Sequence, residues 1–215
     1  MDPICTLKSL TTALSLLGFC LEPAHAESGK FYIDGTTLIY DTDTPNEDEY
    51  EGIKSADINI LLDLLRDNDG IQTLQLNSNG GSVWASFKMS DIILDFELDT
   101  HVHGDCDSSC VTLLLAGQNR TMSRGSRLGF HQTYWSAKNI ESYYNDNRED
   151  DGWDTPFDFA EWMYLDTQDE VYNQLKYMLS RDVDPVFAIE SIRDPDASMW
   201  RPRRSELLRV GVLTE

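Results

Sequence analysis

Apolar residues recur along this chain with two spacings, alternation and helical repetition, and the switches between them mark its elements. Phe31, Tyr32 and Ile33, and then Thr37, Leu38, Ile39 and Tyr40, flank Asp34-Gly35, which predicts a hairpin. Ile58, Leu61, Leu62 and Leu65 predict a helix over 55–66 with Ser55 as its cap, ended by Asp67-Asn68-Asp69-Gly70. A strand over 71–76 follows. The next helix, over 82–96, is expected to bury Val83, Trp84, Phe87, Ile92 and Phe96. After a short strand over 100–104, the stretch 109–116 is almost wholly apolar, so a helix there must be buried, and Gly117 stops it. Residues 121–122 and 127–130 read as two further strands. The order strand, helix, strand, helix, strand predicts an α/β layer with crossover connections.

Beyond His131 the pattern changes. Residues 132–151 are polar, aromatic and acidic, including Tyr143-Tyr144 and Glu149-Asp150-Asp151, and read as an exposed or partner-ordered excursion. Helices are predicted over 157–179 and 184–192, the second capped by Asp184 with Pro185 in its first position. A short helix from Ser205 and a turn at Gly211 then lead into a last strand. No internal repeat is visible.

With 215 residues the chain can build one domain with a substantial core, and its length does not require a second. Its formal net charge of −21 would repel a nucleic-acid backbone, which argues against that partner. Residues 1–26 read as a secretory signal: Lys8, an apolar run over 10–21, then Ala24-His25-Ala26, with cleavage after Ala26. The run is too short for a permanent membrane span. A lipoprotein signal would use Cys20, but Phe19 before it is too bulky; a buried N-terminal helix is the other rival. The expected location is therefore secreted or periplasmic. Cleavage leaves Cys106 and Cys110 in an oxidising compartment, where they either form a disulfide or remain two small buried thiols; a regular helix would bridge them poorly.

Three pieces carry candidate chemistry. Gly80-Gly81 ends a buried strand, where glycine is either purely conformational or lets a backbone N–H approach a substrate carbonyl. Ser108 heads an apolar helix and is either a cap or a nucleophile; His131, at a strand end, is either structural or a base. Together they offer an oxyanion surface, a hydroxyl and a proton acceptor. His101 and His103 share a strand face but lack a second ligand pair, so a metal site is not expected. The acidic loop 41–51 and Glu149-Asp150-Asp151 lack the spacing of a calcium loop and read as solvated faces. No cofactor is needed.

At that combination the sequence resembles the ClpP/crotonase superfamily, and most closely its secreted ClpP-like serine protease branch. Leu76-Asn77-Ser78-Asn79-Gly80-Gly81-Ser82 matches the family's Asn-Ser-x-Gly-Gly turn, and Cys106-Asp107-Ser108-Ser109-Cys110 its Cys-Ala-Ser-Ala-Cys nucleophile turn. Residues 116–120, 126–131 and 206–212 fit the blocks that follow. The resemblance implies stacked strand-strand-helix turns, making 27–215 one ClpP-like α/β domain with an acidic, aromatic insertion at about 132–180. It also implies Ser108 as nucleophile, His131 as general base, and an oxyanion hole from Gly80 or Gly81 and Ser109. The family acid falls at Asp194, with Asp196 as alternative. An exported peptidase acting on a peptide or protein substrate and assembling as a homo-oligomer is the implied function. The rivals are an inactive binding or assembly module of the same fold and an acyl-CoA enzyme of the crotonase type.

Overall fold

The computed structural model describes residues 29–43, 52–194 and 198–215; the expected signal segment 1–26 with Cys5 and Cys20, loop residues 44–51, and Asp196 lie outside the described residues. Its centre is a mixed sheet of six strands. The Asp34-Gly35 hairpin forms as expected, pairing β1 (Phe31–Asp34) antiparallel with β2 (Thr37–Asp41). From β2 the sheet continues in parallel through β3 (Thr73–Ser78) to β4 (Asp99–Asp107). The first half of β4 pairs with β5 (Arg120–Met122) and its second half with β6 (Arg127–Gly129).

Parallel neighbours need crossovers, and three helices supply them. They are α1 (Ser55–Asp67), α2 (Val83–Asp95) and α3 (Cys110–Ala116), in that order between β2, β3, β4 and β5. Leu74 and Leu76 of β3 are buried while Thr73, Gln75 and Asn77 between them are half-buried, the alternation of a strand with one face on the core. Leu61, Met89, Ile93, Leu113 and Leu114 cover that face.

Four expectations need correction. Lys54, not Ser55, caps α1; the carboxylate of Asp57 reaches back to the Lys54 amide at 2.8 Å, a stronger acceptor for that amide than a hydroxyl. In α2 the buried face is Ala85, Ser86, Met89, Ser90 and Ile93, while Trp84 is 59% exposed and Phe96 37%. Small residues let α2 approach α3 closely, and their hydroxyls are satisfied: Ser90 Oγ donates to Ser86 O and to Thr112 O. The excursion after His131 contains a helix, α4 (Ala137–Asn147), with no buried residue of its own; Tyr143 stacks on Trp162 of α5 (Pro156–Ser180) with ring centres 5.7 Å apart. The last strand does not form. After α6 (Pro185–Glu190) and α7 (Arg204–Arg209), the chain from Gly211 is irregular, and Thr214 N donates to Arg120 O at 3.0 Å. Among the described residues, no helix is long and apolar enough to cross a membrane.

One buried charge pair ties the hairpin to α1. Lys30 Nζ reaches Asp57 at 3.1 Å and the carbonyl of Gly52 at 2.9 Å, and the Tyr40 hydroxyl donates to Asp57 at 2.6 Å. Burial beside that carboxylate pushes the Tyr40 phenol above its ordinary value. Removing one partner leaves the other charge buried alone. Asp57→Ala is therefore expected to destabilise the fold by about 3–5 kcal/mol, read from urea unfolding, and Tyr40→Phe by about 1 kcal/mol.

Candidate active site

The end of β4 and the start of α3 form a tight strand-to-helix turn centred on Ser108. Asp107 is the last strand residue, Cys110 the first helical one, and Ser108 between them has φ +56°, a left-handed conformation that a side chain rarely adopts. Its amide donates to Gly129 O of β6 at 2.8 Å, and its carbonyl accepts from Val111 N at 3.0 Å. The open question about the cysteines is resolved by the same turn. Because 106–110 is not regularly helical, the two Cα atoms lie 5.3 Å apart, and Cys106 and Cys110 form a disulfide across Ser108.

The glycine turn lies directly against this one. A Cβ on Gly80, whose φ is +95°, would stand 2.7 Å from Asp107 O and 2.8 Å from Ser108 Cβ, so only glycine allows the approach. Ser78 Oγ accepts the Gly80 amide at 3.1 Å, and the Gly80 carbonyl accepts from Ile53 N at 2.7 Å. Of the three expected oxyanion donors, Gly80 is thus engaged by its own turn. The amides of Gly81 and Ser109 have no acceptor among the described residues. The Ser109 hydroxyl is buried and also without a partner.

His131 follows β6, whose continuation is held by Trp200: Phe130 and Trp200 exchange backbone hydrogen bonds of 2.9 Å. Ser108, Ser109, Gly81 and His131 line one open cleft of about 1210 Å³. His131 Nδ1 lies 2.7 Å from Gln132 O, and since a carbonyl can only accept, Nδ1 is the protonated nitrogen in this bond. Nε2 of the neutral ring then carries the lone pair. The Gln132 amide in turn donates to Asp194 O at 2.8 Å, so Asp194 borders the histidine through its backbone, while its carboxylate meets Arg193 Nε at 3.3 Å. Asp196 lies outside the described residues.

Two residues that the sequence did not single out as functional also hold the turn. Asp107 and Arg201 form a bidentate ion pair, 2.9 and 2.6 Å, that ties the residue before Ser108 to the segment beside His131. Burial pushes the Asp107 carboxyl up from its ordinary value, and the Arg201 guanidinium opposes that shift. The only sequence cue was a carboxylate at the end of a buried strand; its partner stands 94 positions away. Both ring nitrogens of His101 are engaged, Nδ1 and Nε2 lying 2.7 and 2.9 Å from the Thr121 and Ser123 hydroxyls, and the exposed His103 places Nδ1 3.1 Å from Ser123 Oγ.

No protein-family model matches the chain, and no curated protein matches it. If the contact between the two turns positions Ser108, Gly80→Ala must push them apart. It is expected to lower stability by about 3 kcal/mol in thermal unfolding. Gly35→Ala, also at positive φ but facing open space, is expected to cost about 1 kcal/mol.

Proposed function

We propose that this protein is a serine hydrolase, most specifically an exported ClpP-like peptidase, with Ser108 as nucleophile and His131 as general base. The observation that carries the reading is Ser108 itself: a serine at left-handed φ on a strand-to-helix turn, in a cleft it shares with a histidine and two unengaged main-chain donors. Strained backbone of this kind persists where the surroundings over-determine it, and here a disulfide, a close-packed glycine and a bidentate ion pair to the buried Asp107 all do so.

Ser108 Oγ attacks the substrate carbonyl and passes its proton to His131 Nε2, whose ring is oriented by the Gln132 carbonyl. The negative charge that develops on the carbonyl oxygen is met by the amides of Gly81 and Ser109. His131 then protonates the leaving group and activates the water that releases the acyl chain. A carboxylate from the 194–196 segment, Asp194 or Asp196, would stabilise the imidazolium. The stacked strand-strand-helix superhelix, export, and assembly as a homo-oligomer belong to the same proposal. The aromatic residues that α5 exposes, Phe157, Tyr164 and Tyr172, support the last of these. An acyl-CoA substrate fits less well, since among the described residues no Lys or Arg lines the cleft to meet its phosphates.

A fluorophosphonate probe tests the reading. Labelling is expected at Ser108 and nowhere in Ser108→Ala, with peptide hydrolysis falling by about 10³-fold or more. Well-folded protein that takes up no probe would favour a non-catalytic binding module instead. Reducing the Cys106–Cys110 bond is expected to slow labelling by about 10²-fold, reversibly on reoxidation, because the nucleophile turn loses its tether.

A further inference from the structure

One wall of the cleft has a composition that packing does not explain. Along α5, Asp166, Asp169, Glu170, Asn173, Gln174 and Tyr177 fall three and four positions apart, on one face, and all six line the cleft. A helix ordinarily turns its apolar stripe inward, but this one turns a polar, acidic stripe toward the cleft. The far end of the stripe is anchored on α3, the helix that follows the candidate nucleophile. Tyr177 donates to Thr112 O at 3.0 Å and its ring meets Phe87 edge-on at 5.4 Å. Glu170, two turns earlier, stands about 10 Å along the wall, beside Thr133, two residues after His131.

The charges on this wall are uncompensated. With Asp146, the cleft carries carboxylates at 146, 166, 169 and 170, and none has an ion-pair partner among the described residues. The Thr133 hydroxyl bonds the Glu170 carboxyl, but its Oε1 is enclosed without a hydrogen-bond partner, an arrangement that costs stability until a donor arrives. Burial pushes this carboxyl above the usual range, with Asp166 adding to the shift and the Thr133 hydroxyl beside it opposing. Phe87, beside Tyr177 of the wall, gives the same cleft an apolar floor together with Val111 and Leu115. Ser109, 6% exposed, adds a second unpartnered polar side chain in the same cleft.

We propose that the cleft selects peptides carrying a lysine or arginine side chain, with Glu170 as the carboxylate that receives the cationic head and the apolar floor as the surface for its methylene stem. The inference rests on the hydrolase reading of Ser108 for its chemistry, while the recognition of a cation rests on the wall alone. Long basic side chains suit such a site because they combine an apolar stem with a charged tip. Asp166 and Asp169, both exposed, raise the local concentration of cations but are interchangeable in that role, whereas Glu170 is the half-buried acceptor.

The test uses the full chain as Ser108→Ala, with fluorescent peptides that differ at one position, lysine, acetyl-lysine or glutamate, and reads binding by anisotropy. Fluorophosphonate labelling of the unmutated protein runs in parallel. The lysine peptide is expected to bind about tenfold or more tighter than the acetyl-lysine one, with glutamate weakest. That preference should vanish in Glu170→Gln and invert in Glu170→Lys. Equal binding of the three peptides overturns the proposal even where Ser108 takes up the probe. A lysine preference that survives both Glu170 substitutions overturns the assignment to Glu170. A lysine preference that depends on Glu170, in protein that takes up no probe, supports this site while removing the hydrolase reading.

Discussion

The structure around Ser108 depends on one steric constraint, the direct contact between two strand-to-helix turns. β3 and β4 are parallel neighbours, so the turns that follow them emerge at the same edge of the sheet. Gly80 in the first touches Asp107 and Ser108 in the second with no room for a Cβ. That contact brings the main-chain donors of one turn to the hydroxyl of the other. It is a consequence of parallel pairing, which places successive strand ends on one side and makes that side a natural place for a binding crevice.

A contact this tight has to be held, and the surrounding interactions are of different physical kinds. The Cys106–Cys110 disulfide limits the turn covalently, Asp107 and Arg201 fix it by a part-buried bidentate pair, and β6 fixes it by the bond from the Ser108 amide to Gly129 O. Arg201 adjoins Trp200, whose backbone pairs with Phe130 next to His131. One segment near the C-terminus therefore steadies both the serine and the histidine. The aromatic α4–α5 layer stands outside this frame and forms the far wall of the cleft.

Much of the architecture was legible in the chain. The hairpin at Asp34-Gly35, the crossover helices, the cap at Asp184 and the alternation of strands and helices all depend on local rules: turn chemistry, periodicity, and the length a crossover needs. Local rules failed where a position had two possible neighbours. In α2 the aromatic residues Trp84 and Phe87 outweighed Ala85, Ser86 and Ser90 in hydrophobicity, yet the small face is the buried one, because α3 packs there and the larger side chains open onto the cleft or solvent. The helix in 137–147 was missed because it buries nothing of its own and is held by rings from α5.

By itself, then, the sequence determined the strands up to His131, which glycines mark sharp turns, and which serine and histidine deserved suspicion, because these follow from neighbours within a few positions. Only the tertiary structure decided that Gly80 is engaged while Gly81 is not, that the two cysteines bridge, that Asp107 is held by a guanidinium 94 positions away, and that an acidic stripe of α5 faces the cleft. These depend on distances between segments far apart in the chain. Such distances are set by how the helices pack on the sheet, and no local pattern of residues encodes them.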